Sequence, residues 1–168
     1  PVNEASTYGM FTVVATAGQT LDLALGNTAS TADRDATIAG FTGLSFSTDG
    51  TSWTPYDSTH KPTVPGSSGT GTVYVRVNIT SEVDTTYEGA ETFTLTATIN
   101  TGAGATDDDT ATIIDDGTGS KYSGTITTGS PTSSSSALDN DLSVVVTAAG
   151  PVNEASTYGM FTVVATAG

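Results

Sequence analysis

The chain is 168 residues long, with 18 acidic and 4 basic side chains and a formal net charge of −14. That balance excludes nucleic acid and anionic membranes as partners, since both demand cationic side chains against phosphate. Cysteine is absent and histidine occurs once, so disulfide scaffolds, thiolate zinc sites, cysteine nucleophiles and multi-histidine metal sites are excluded as well.

Thirty-five threonines and 18 serines make up nearly a third of the chain. Threonine is β-branched and suits a half-buried pleated surface, while the good helix formers Lys, Arg, Gln and Glu are scarce. Composition therefore predicts an all-β protein. The strands follow from strict alternation of apolar and polar residues. Met10–Ala15 is the first, and Leu21, Leu23 and Leu25 alternate around Asp22 and Ala24 in the second. Leu44–Phe46 and Trp53–Tyr56 flank Asp49-Gly50, a dipeptide that favours a two-residue type I′ hairpin turn. Val73, Val75, Val77 and Ile79 share one face of a further strand, and Phe93, Leu95, Ala97 and Ile99 alternate with threonines in another. Thr110–Ile114 and Leu142–Val146 complete the set. Seven or eight short strands without a helical period suit a Greek-key β-sandwich.

Lys61–Gly71 reads as a Pro/Gly/Ser loop within that sandwich. Residues 117–140, rich in Gly, Ser and Thr, read as a linker, with a short strand at Lys121–Ile126. The expected organisation is a sandwich over 1–116, a linker over 117–140, and the opening strands of a next repeat over 141–168. The last part rests on an internal repeat: Pro1–Gly18 and Pro151–Gly168 are the same eighteen letters, PVNEASTYGMFTVVATAG. Such identity marks one period of a tandem array, whose modules touch mainly their neighbours and act through length and stiffness, the alternative being an engineered duplication.

The carboxylates concentrate at Glu82, Asp84, Glu88 and Glu91, at Asp107–Asp109, at Asp115-Asp116, and at Asp139 and Asp141. Most of these fall where strands begin or end, and alternate turns of a sandwich meet at one end. Converging carboxylates repel one another unless a cation bridges them, and only four Lys and Arg exist to do so. A hard divalent cation with six to eight oxygen ligands fits flexible Asp-rich loops, and Ca2+ fits better than Mg2+. Acidic turn residues also keep an edge-rich β protein soluble, and for any one residue alone that simpler reading is the stronger. For Asp115-Asp116 taken with Glu4, the cation reading is the stronger.

Tyr87-Glu88-Gly89-Ala90-Glu91-Thr92-Phe93-Thr94-Leu95 resembles the Calx-β signature, in which an acidic E-G-x-E turn leads into an F-x-L strand. Val2-Asn3-Glu4 resembles the opening V-x-E of that family, and Ala111–Asp116 its closing strand with terminal aspartates. The whole pattern is similar to repeats of giant Gram-negative RTX adhesins exported by type I secretion. This resemblance, covering about residues 1–117 and 139–168, implies an immunoglobulin-like sandwich that binds Ca2+ at one end within an extracellular stalk on a bacterial cell surface. It implies metal ligation by Glu4, Asp84, Glu88, Asp115 and Asp116, and more loosely by Asp33 or Asp35, where Arg34 departs from the pattern. Ions at module junctions would involve Asp139 and Asp141, and Glu154 repeats Glu4 in the second copy.

In the resembled modules a strand precedes V-x-E, as Leu142–Ala148 precedes Val152-Asn153-Glu154 here. The first module is expected to lack that strand, and Leu142–Ala148 to fill its open sheet edge, in cis or by exchange between molecules through 142–168.

Catalysis is not expected. Ser133–Ser136 has no nucleophile elbow, no phosphate-cradling loop occurs, and the carboxylates lack an aromatic cleft motif. His60 reads as a solvated loop residue. Trp53 and Tyr56 read first as packing residues and second as a platform for a sugar. The expected function is thus a non-enzymatic, Ca2+-stabilised extender whose partners are neighbouring repeats, and the alternative is a glycan-binding adhesin module.

Overall fold

The computed structural model describes residues 1–27, 42–85, 89–101, 104–123, 130–131 and 144–165. Among the described residues, twelve strands form three sheets, and the two larger sheets make an all-β sandwich. In chain order the strands are β1 (Val2–Asn3), β2 (Tyr8–Thr16), β3 (Leu21–Asn27), β4 (Thr42–Ser47), β5 (Thr54–Pro55) and β6 (Thr70–Asn78). They continue with β7 (Glu91–Ile99), β8 (Thr106–Ile114), β9 (Ser120–Lys121), β10 (Ser130–Pro131), β11 (Val144–Ala148) and β12 (Phe161–Ala165). One sheet runs β10-β9-β1-β8-β7-β3, the other β2-β6-β4-β5, and β11 pairs with β12 in a separate hairpin. Pairing is antiparallel except where β1 lies parallel to both β8 and β9.

Alternation sets the core. Val73, Val75, Val77 and Ile79 are at most 1% exposed and belong to one apolar cluster with Phe93, Leu95, Leu21, Leu23 and Ile113. Each such burial contributes about 1.5–3 kcal/mol. Phe11 meets Phe93 edge-on, with ring centroids 5.5 Å apart and planes at 88°. Gly9 is required beside this pair, because a Cβ there would lie 2.5 Å from the Phe93 Cζ. The threonines of β7 face outward and pair across the ladder, Thr94 with Thr110 and Thr98 with Thr106, each at 3.0 Å between hydroxyls.

One local expectation is corrected, and two segments hold more structure than expected. β4 and β5 do pair, but residues 48–53 form a longer loop, and only Gly50 has positive φ, so the turn is not type I′. Asp49 instead accepts the backbone N–H groups of Thr51 and Ser52, at 2.8 and 2.7 Å, which holds the wider loop closed. Within the Lys61–Gly71 loop, Val64 is 1% exposed and is pinned through Gln19 and Gly18. The sandwich also continues past residue 116: β9 extends the β1 edge, and Tyr122 donates its N–H to Ser6 Oγ at 2.8 Å and packs against the core.

Within the one chain, residues 144–148 do not pair with the first copy. Residues 144–148 pair with residues 161–165, from Val144 opposite Ala165 to Ala148 opposite Phe161. Closing the short segment between them costs less chain entropy than reaching the distant first copy.

Candidate metal-binding end of the sandwich

β1 and β8 leave their sheet side by side. Asn3 is in register with Ile114, and the Glu4 N–H donates to the Ile114 carbonyl at 3.0 Å, so Glu4 and Asp115 follow their strands at the same end. Glu4 is 4% exposed and Asp115 3%. The Gly89 N–H reaches Asp115 Oδ2 at 3.3 Å, which ties the acidic turn before β7 to the end of β8. Glu91, 5% exposed, stands opposite Ile113 across the β7–β8 ladder. After β6, a 3-10 turn at Thr80–Glu82 carries Glu82 inward to 6% exposure, its N–H donating to the Ile79 carbonyl and its Oε1 accepting from Ser81 Oγ at 2.7 Å.

Topology accounts for this concentration. β1 and β8 end here, β2 and β7 begin here, and β6 ends against Thr7. β3 ends at Asn27 opposite Phe93, and β4 begins at Thr42 opposite Asn78. Burying a carboxylate costs several kcal/mol unless hydrogen bonds or a cation offset the loss of water. Two of the cations lie away from this end: Lys61 is 2.5 Å from Asp22, and Arg76 stands between two rings.

The expected ligands separate into groups. Glu4 and Asp115 are brought together and buried. Asp84 and Asp116 sit at the same end but are exposed, and Asp116 Oδ1 accepts the N–H and hydroxyl of Thr118, closing the turn after β8. Glu154 is exposed in the separate hairpin. Asp33, Asp35, Glu88, Asp139 and Asp141 lie outside the described residues. Among the described residues, no three acidic or histidine side chains come together closely enough to hold an ion.

Glu82 and Glu91 are buried carboxylates outside the expected ligand set. The signal for Glu91 was present: it continues the Phe93, Leu95, Ala97 alternation by two residues and so falls on the inner face. No comparable pattern marked Glu82.

A second constellation lies on the outer face of the β2-β6-β4-β5 sheet. The Arg76 guanidinium stands 4.2 Å from the Trp53 ring centroid and 4.4 Å from that of Tyr8, with Nε donating to Ser45 Oγ at 3.1 Å. These side chains border a shallow pocket of about 260 Å3. Tyr56 does not join it, because its hydroxyl accepts the Leu23 N–H at 2.9 Å and bridges the two sheets. His60 is exposed, with Nδ1 at 2.8 Å from Asp57 Oδ2. No protein-family model, curated protein or solved structure matches this chain.

Proposed function

We propose that the chain is a non-enzymatic, Ca2+-stabilised extender repeat from the stalk of an extracellular bacterial surface adhesin, with neighbouring repeats as its partners. The observation that carries this reading is the return of eighteen identical letters at Pro151, since tandem identity serves a protein whose product is length. The burial of Glu4 and Asp115 at adjoining strand ends supports the calcium part. Carboxylate and carbonyl oxygens are the donor set a hard cation takes. Glu4 and Asp115 would form the nucleus of the site; Glu88 and Asp33 or Asp35, which the resemblance implies as further ligands, lie outside the described residues. Bound there, Ca2+ supplies charge neutralisation and a cross-link between turns.

The mechanism is linkage: an ion that binds the folded module and not the unfolded chain adds about 2.7 kcal/mol per site at 100 times Kd. Extracellular modules bind Ca2+ at about 10⁻⁴–10⁻³ M, so the repeat would be loose where calcium is scarce and stiff outside the cell. Scanning calorimetry in millimolar Ca2+ and in chelator tests this. A higher Tm in calcium is expected, and identical melting curves would remove calcium from the reading.

The second reading, a glycan-binding module, is favoured by the Tyr8, Trp53 and Arg76 pocket. Against it, the guanidinium already stacks on the Trp53 ring that a sugar would need. A glycan array separates the two, because an extender binds no sugar.

A further inference from the structure

The same letters appear twice, and the two copies use opposite edges of one strand. In the first copy, Ala17 N–H donates to the Gly69 carbonyl at 3.0 Å and Thr7 O accepts from Ile79 at 3.2 Å. Register across β2 and β6 is continuous between these points, so the odd-numbered residues, including Phe11, Val13 and Ala15, turn their backbone groups toward β6. The N–H and C=O groups of Met10, Thr12 and Val14 therefore point to the other edge, where no strand pairs among the described residues. In the second copy, Ala149 N–H donates to the Met160 carbonyl at 3.1 Å. Met160 is the counterpart of Met10, so β11 occupies the edge that β2 leaves open.

The side chains agree with the backbone. Ala148, Val146 and Val144 lie opposite Phe161, Val163 and Ala165, and cross-strand partners share a face. The counterparts of the latter three are Phe11, Val13 and Ala15, which face the core. Among the described residues, the sandwich beside them is open along β2 and the start of β8, leaving a groove of about 350 Å3 lined by Phe11, Val13, Ala15, Leu95, Ala97 and Ile99. A strand bound to β2 in the β11 register would direct two valines and an alanine into this groove.

We propose that the open edge of β2 is the docking site for residues 144–148 of another copy of this repeat, completing a five-stranded sheet in the order β11-β2-β6-β4-β5. Wherever residues 142–150 precede the repeated letters, the strand arrives in cis; otherwise a second chain supplies it. The donor is poorly held at home. All five residues of β11 are exposed, and an isolated two-stranded hairpin is marginally stable. Exchange to β2 keeps the same five cross-strand pairs and adds burial in the groove.

The test places residues 142–150 ahead of Pro1 in the full chain, reproducing the junction at Gly150-Pro151, and follows amide hydrogen exchange in calcium and in chelator. Met10, Thr12 and Val14 are expected to exchange at least about tenfold more slowly, with Tm higher by roughly 5–10 °C. Val146→Asp in the added copy alone abolishes both effects, whereas Val145→Asp, whose side chain faces outward, leaves them. Should the extended chain fail to fold, a peptide of residues 142–150 added to the original chain is read at the same three amides. Unchanged exchange there, or a reversed dependence on Val145 and Val146, overturns the proposal. The protection is expected with or without calcium, so failure of the calcium reading leaves it standing.

Discussion

The backbone nitrogen of Glu4 donates to the carbonyl oxygen of Ile114 across 3.0 Å, which sets the first acid after β1 alongside the first acid after β8. Two nearly buried carboxylates then leave adjacent parallel strands, and calcium bound between them would cross-link the two strand ends. Glu4→Gln or Asp115→Asn is expected to remove most of the calcium-induced stabilisation, on the order of 2–3 kcal/mol. In chelator the same variants should match or exceed the parent Tm, since an amide loses less on burial than a carboxylate. Calorimetry of each variant in both conditions checks this, and equal loss in both would assign the two acids a purely structural role.

Packing around Phe93 gives a prediction independent of any ion. Phe93→Ala removes a ring with no exposed surface and should cost about 3–5 kcal/mol. Gly9→Ala drives a methyl into the same ring and should cost about 1–3 kcal/mol. A Gly9→Ala/Phe93→Ala double variant, in which the added methyl no longer meets a ring, should lose less than the sum of the two single losses. Urea unfolding of the three variants measures that coupling.

Acid sensitivity should trace in part to Asp49. Backbone N–H groups of Ser52 and Thr51, with the Ser52 and Ser47 hydroxyls, hold its carboxyl well below the usual carboxylate range. A folded value below the unfolded one, about 3.9, means the stabilisation is present above that pH and is lost as pH falls toward the folded value. Asp49→Asn should therefore flatten the decline of Tm below about pH 4. A thermal-melt series from pH 2 to 7 compares the two slopes.

Arg76 offers an optical readout because Trp53 is the single tryptophan. With the guanidinium stacked between Tyr8 and Trp53, Arg76→Ala should cost about 1–2 kcal/mol and shift the tryptophan emission. Arg76→Lys should restore charge but not the planar stack, leaving the emission shifted. Fluorescence spectra of the three proteins decide this, and coincident spectra would mean the stack does not persist in solution.

The strands were legible wherever one face alone is buried, as with Val73, Val75 and Val77, because period-two burial writes itself into period-two sequence. Asp107–Asp109 hid the start of β8: three consecutive acids look like a turn, yet here they occupy an exposed stretch paired to Ala97, Thr96 and Leu95. The acidic end was legible only as a concentration of carboxylates near strand ends. Which of them are buried depends on which strands become neighbours. Asp116 resembles Asp115 in sequence, but one caps a turn in solvent while the other is enclosed.

The duplicated segment separates local from tertiary causes directly. Ala5 N–H donates to Asn3 Oδ1 at 2.9 Å and Ala155 N–H to Asn153 Oδ1 at 2.9 Å, and Ser6 and Ser156 likewise donate to the Tyr8 and Tyr158 carbonyls. Those bonds span two residues, so eighteen letters suffice to form them in either setting. Burial is another matter: Glu4 is enclosed and Glu154 exposed, Phe11 is 8% exposed and Phe161 66%. Removing a side chain from water needs surfaces contributed by β6, β7 and β8, more than 50 residues away in sequence, and no local pattern can supply them.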